Sequence, residues 1–157
     1  MIYGGSGVCR VEAVGPGGKD GRLHYTLCPL HQNYKIMTPV DNQKVFMRPV
    51  ITRDEARALI GEIPTIQALP FHSRIQRELA EHYETRLKTY DCRTLLELTM
   101  SIHTKREAAL AQKKRLGAVD ETFLRRAEDL LFSELAVALG IPEDQVQPYI
   151  QSQCQSP

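Results

Sequence analysis

The chain has 157 residues, 42% hydrophobic and 25% charged, with a net charge of +1, which excludes wholesale disorder and leaves room for one ordinary domain or two small ones. Aromatic residues make up only 6% and tryptophan is absent, so a core has to be built mainly from aliphatic side chains. No stretch approaches the roughly 18 apolar residues of a membrane span, and Met1-Ile2-Tyr3-Gly4-Gly5 lacks the basic flank and apolar run of a secretory signal; a cytoplasmic protein without a membrane partner is expected.

The first fifty residues read as β. Val8–Val14 alternates in part, with Arg10 and Glu12 on one face and Val11 on the other. Gly15–Gly21 is a dense turn signal. Further strands are expected at Arg22–Cys28, at Asn33–Thr38, where Tyr34, Ile36 and Thr38 share a face, and at Val45–Arg48. Between the last two, Pro39-Val40-Asp41-Asn42 has the residues that turns favour. Short strands separated by turns suggest a small curled sheet or barrel, whose open edge can accept a partner's strand.

From Thr52 the period becomes helical. Thr52-Arg53-Asp54-Glu55 fits a capping box, and Gly61 suits the end of the short helix it opens. Ile63–Pro70 is a two-proline connector and the expected domain boundary. Ser73-Arg74-Ile75-Gln76 repeats the capping-box logic, and Ile75, Leu79, Tyr83 and Leu87 form one apolar stripe. Asp91 can cap the next helix, lined by Leu95, Leu98, Ile102 and Leu110, which ends near Gly117. Asp120 can cap another, with Phe123, Leu124, Ala127, Leu130, Leu131 and Leu135 inward and Gly140 stopping it. Pro142 suits the first turn of a last short helix. Stripes this apolar have to pack on one another as a bundle.

The four cysteines, Cys9, Cys28, Cys92 and Cys154, form no CxxC pair and read as free thiols. His24, Cys28 and His31 supply three ligands at best, where a structural zinc site takes four at tighter spacing, so no metal is assigned. No phosphate-binding, nucleophile-elbow or zinc-protease motif occurs, and Gly4-Gly5-Ser6-Gly7 reads as a tight turn between strands. No acid/base pair can be nominated, and no enzyme activity, cofactor or small-molecule substrate is expected.

Charge is unevenly spread. Residues 74–126 hold twelve Lys/Arg against eight Asp/Glu, and residues 127–157 hold none against five. Lys113, Lys114 and Arg115 end one long helix, and Arg125 and Arg126 are expected one turn into the next. If that pair is antiparallel, the clusters form a basic patch able to engage phosphates without reading sequence. The plainer alternative is cations placed favourably at a helix C-terminus, which accounts for 113–115 but not for Arg125 and Arg126.

Three motifs, in order across the β-to-α switch, resemble the CarD/CdnL family of transcription regulators. Tyr3-Gly4-Gly5-Ser6-Gly7-Val8-Cys9-Arg10-Val11-Glu12 is similar to its opening. Pro39-Val40-Asp41-Asn42 with Val45 and Met47-Arg48-Pro49-Val50 is similar to its second signature. Leu116-Gly117, Glu121, Leu124 and Ala127 through Glu134-Leu135-Ala136 resemble its last long helix. The resemblance implies an α+β chain. A Tudor-like, SH3-like β-barrel over residues 1–62 would dock on the RNA polymerase β subunit, as a related module of the transcription-repair coupling factor does. An all-α bundle over residues 63–157 would touch promoter DNA at the upstream edge of the bubble and stabilise the open complex. On that basis the sheet edges carrying Arg22, His24 and Thr26, and Lys35, Ile36 and Met37, are expected to face polymerase. Arg126, Arg125, Lys113, Lys114 and Arg115 are expected to face DNA, with Arg126 at a position where members carry a DNA-facing basic residue.

Two departures stand out. Many members carry a tryptophan minor-groove wedge where this chain has Leu79, which can either wedge a base step or belong to the core stripe. Glu81, His82 and Glu84 then replace a basic run, and few residues precede Tyr3 to form a first strand. The alternative function is a protein-interaction adaptor with the same barrel and no DNA binding; steep salt dependence of DNA association separates the two.

Overall fold

The computed structural model describes residues 1–155. The chain divides after Val50 into two compact units.

The first unit holds β1 (Ile2–Tyr3), β2 (Cys9–Pro16), β3 (Leu23–Pro29), β4 (Ile36–Pro39) and β5 (Met47–Arg48). β2, β3 and β4 form an antiparallel meander, and β1 pairs with β5 in a separate two-stranded ribbon. The tight turn at Gly4–Gly7 joins β1 to β2. Gly4 has φ 44°, and a Cβ there would stand 2.9 Å from Val45 Cγ1, so glycine is required on both counts. An isolated bridge, Ile2 to Val8, and paired backbone bonds between Met1 and Cys9 tie the ribbon to β2.

The expected closed barrel followed by an all-α domain is therefore corrected: the chain is mixed α and β, and the described residues form two small antiparallel sheets that do not close. A barrel needs tilted strands that hand hydrogen bonds around a full circle. Here β4 spans four residues and β5 two; residues 40–46 between them form no strand, leaving β2 and β4 as sheet edges. The unit buries few side chains: Ile2, Val8, Cys9, Leu27 and Pro29, with Thr38 as the polar member. The Asn42 amide donates to Thr38 Oγ1 at 2.9 Å, so that buried hydroxyl is satisfied.

The second unit holds α1 (Arg53–Gly61), α2 (Gln76–Leu87), α3 (Cys92–Ala111), α4 (Ala118–Leu139) and α5 (Val146–Gln155), with single 3-10 turns at Ile63–Thr65 and Glu143–Gln145. Helix α4 is the hub, packing against α1, α2, α3 and α5. Leu131, Ala127 and Ile102 are fully buried, alongside Leu95, Leu98, Leu124 and Leu135. Because α1 buries Ala56 and Ile60 in this cluster, it belongs with the helices, and the division falls at Val50/Ile51 rather than at 62/63. The Glu134 carboxylate, 1% exposed, reinforces that placement by accepting from the Ile51 amide at 3.0 Å and from Cys92 Sγ at 3.0 Å.

Two helix starts follow the expected caps. Thr52 Oγ1 accepts from the Glu55 amide at 3.1 Å, and Asp91 accepts from the Thr94 amide at 3.0 Å. Two do not. Helix α2 begins at Gln76 with Ser73 bonded to Ile75 N and to Glu78 instead, and α4 begins at Ala118, two residues before Asp120. No helix among the described residues is long and apolar enough to cross a membrane.

Candidate nucleic-acid and partner interfaces

On the sheet, register decides which expected contacts can be offered. β3 is the central strand, hydrogen-bonded on both sides, so His24 and Thr26 supply no free edge, and Arg22 lies just before it; β4 does supply one. Cross-strand partners share a face. Thr26 stands opposite Met37, and His24 opposite Pro39, putting His24, Thr26 and Met37 on one face. Leu27, Ile36, Tyr25 and Thr38 take the other, which carries the buried side chains. Met37 is 60% exposed, a large apolar side chain on an edge strand. Lys35 is paired with Glu12 at 3.0 Å, and Arg22 with Asp41 at 2.7 Å. The Arg22 hydrogen bond holds the Asp41 carboxyl below its ordinary range and raises the guanidinium in turn.

In the helical unit, Lys105 and Arg106, late in α3, meet Asp120 and Glu121 in the first turn of α4 at 2.8 and 3.9 Å, whereas His103, earlier in α3, meets Glu128, further along α4, at 3.1 Å. The two helices are antiparallel, with Lys113, Lys114 and Arg115 in the connecting turn. That turn ends α3 in a Schellman arrangement: Lys114 N donates to Ala109 O at 2.8 Å and Lys113 N to Leu110 O at 2.9 Å. The left-handed position of such a motif usually takes glycine; here it is Lys113, at φ 56°. Lys113, Lys114 and Arg115 make no side-chain ion pair among the described residues.

Because α4 starts at Ala118, Arg125 and Arg126 lie about two turns in, roughly 10–12 Å along its axis from its start. They also diverge. Arg125 lines a recess of about 240 Å3 with Arg106, Glu121, Leu124, Glu128 and Asp129, a mixed rather than basic surface. Arg126 turns towards α2, its two terminal nitrogens on the two Glu84 oxygens at 2.9 and 3.2 Å and its guanidinium carbon 5.0 Å from the Phe123 ring centre. Leu79 is 7% exposed within the helical core, so the core role holds and no wedge is presented.

The sequence reading missed a polar network among α2, α3 and α4. The Tyr83 hydroxyl donates to Asp120, and Lys105 Nζ donates to Asp120 at 2.8 Å, to Phe71 O at 3.0 Å and to Tyr83 Oη at 3.3 Å. Burial is the main reason the Tyr83 phenol is pushed far up, and the Asp120 carboxylate adds to it. Nearby, His82 stacks on Phe71 at 3.9 Å, and burial, with a smaller contribution from Arg86, lowers its imidazole. The available signal was a tyrosine inside an apolar stripe, whose hydroxyl needs a partner once buried.

Compared with known proteins, the chain matches no family model and no curated protein.

Proposed function

We propose that this chain is a non-enzymatic, cytoplasmic transcription regulator that engages the RNA polymerase β subunit through the β4 edge and promoter-DNA phosphates through the turn between α3 and α4. The observation that carries the reading is that turn: three consecutive cations, Lys113, Lys114 and Arg115, with no ion pair among the described residues, at the tip of an antiparallel helix pair. Two further features support it. A lysine, Lys113, stands at a backbone position that favours glycine, and Met37 supplies an exposed apolar anchor on an edge strand able to add a partner's strand. The resemblance carried by Tyr3–Glu12 and Pro39–Val50 points to the same partners.

The test is promoter opening by RNA polymerase with the full chain present. Lys113→Glu with Lys114→Glu and Arg115→Glu is expected to remove the effect on open-complex lifetime while binding to the β subunit persists. Met37→Asp is expected to do the reverse, weakening β-subunit binding and leaving DNA association alone. An unchanged lifetime with the triple variant overturns the DNA assignment.

The adaptor reading, with no DNA contact, has one observation in its favour: Arg126 is already satisfied by Glu84. It predicts no salt-dependent association with DNA.

A further inference from the structure

The contact between Arg126 and Glu84 has the geometry of a ligand complex within the chain. A guanidinium presents two parallel N–H donors that fit a carboxylate and a phosphate alike. In this chain both donors are taken by one carboxylate, at 2.9 and 3.2 Å, while the guanidinium carbon lies over the ring of the buried Phe123. The pair is accessible, with side-chain exposures of 45% for Arg126 and 32% for Glu84, so a polyanion arriving from solvent can reach it. Glu84 sits on α2 and Arg126 on α4, and the aromatic contact is made within α4, so it does not depend on Glu84. The Arg126 hydrogen bond also keeps the Glu84 carboxyl below its ordinary range, with Lys88 a smaller contributor, so it is ionised at neutral pH.

We propose that Glu84 is an internal stand-in for phosphate: it occupies the Arg126 fork in the free protein and must be displaced before that arginine can bind duplex DNA, so it sets the affinity of the α2–α4 face. The inference rests on the DNA-binding reading and goes beyond it, because it assigns an affinity-limiting role to an acidic residue. It also requires that Glu84 act through one named arginine. A carboxylate that merely lowers the local potential would weaken every nearby phosphate contact alike.

The experiment is binding of the full chain to a short random-sequence DNA duplex at low salt, read by fluorescence anisotropy, for wild type, Glu84→Gln, Arg126→Gln and the double variant. Exposed ion pairs of this kind couple by up to about 1 kcal/mol, so Glu84→Gln is expected to tighten binding about fivefold. In the Arg126→Gln background the same change is expected to alter binding less than about twofold. Equal tightening in both backgrounds overturns the proposal in favour of a bulk charge effect, and so does wild-type binding that Glu84→Gln leaves unchanged. If none of the four proteins binds the duplex, the DNA-binding reading itself fails, an outcome distinct from binding that ignores Glu84. Glu84→Ala, which cannot hydrogen-bond to Arg126 at all, is expected to reproduce the gain and controls for the residual amide.

Discussion

Asp120 shows how much depends on a single side chain in the helical unit. It accepts from the Tyr83 hydroxyl and from Lys105, whose side chain is 10% exposed against 8% for the aspartate. Removing the carboxylate by Asp120→Ala strands a nearly buried ammonium and a buried phenol, and loss of one partner from such a pair costs about 3–5 kcal/mol. The exposed pair between Arg93 and Glu62, with side chains 51% and 49% exposed, makes the contrast: Arg93→Ala is expected to cost no more than about 1 kcal/mol. Urea unfolding followed by helical circular dichroism measures both, and similar midpoint shifts would contradict this account. Nothing in the local sequence announced this role. Asp120 followed by Glu121 ahead of an apolar run looks like a helix cap, and only the packing of α2 and α3 on α4 turns it inward.

At the scale of elements, the α3 terminus offers the sharpest expectation. Lys113 has φ 56°, a region that a residue with a Cβ enters at a cost, whereas α4 ends with Gly140 at φ 69° in the same role. Lys113→Gly is therefore expected to raise stability by about 0.5–1 kcal/mol while weakening DNA association, and thermal melts with a parallel binding assay check both. Gains in both properties would mean the lysine serves no phosphate. The helix stripes were readable because spacing alone places Leu79, Tyr83 and Leu87, or Leu95, Leu98 and Ile102, on one side. Leu110 and Ile75 fit the same patterns yet are 63% and 55% exposed, because one lies in the last turn of α3 and the other before α2 begins. β1 escaped notice because two residues carry no period to read.

For the molecule as a whole, the switch from β to α near residue 50 was visible in sequence, since period and turn residues change together there. Closure of the sheet was not, because it depends on whether residues 40–46 pair, and Val40-Asp41-Asn42 suits a turn in an open sheet as well as in a barrel. The basic middle of the chain was likewise visible as a count but not as a surface. Arg125 and Arg126 are neighbours in sequence, yet one faces a carboxylate-lined recess and the other is clasped by Glu84, leaving Lys113, Lys114 and Arg115 as the exposed cationic cluster. The proposed function stands or falls on whether that cluster meets phosphate. The measurement that tests it most directly is the salt dependence of duplex DNA binding, wild type against Lys113→Ala with Lys114→Ala and Arg115→Ala. Each phosphate contact contributes about 0.9 to the slope of log K against log salt, so the triple variant is expected to flatten that slope by about 2–3 and to bind more weakly at low salt. A slope and affinity that survive the substitution would contradict the account.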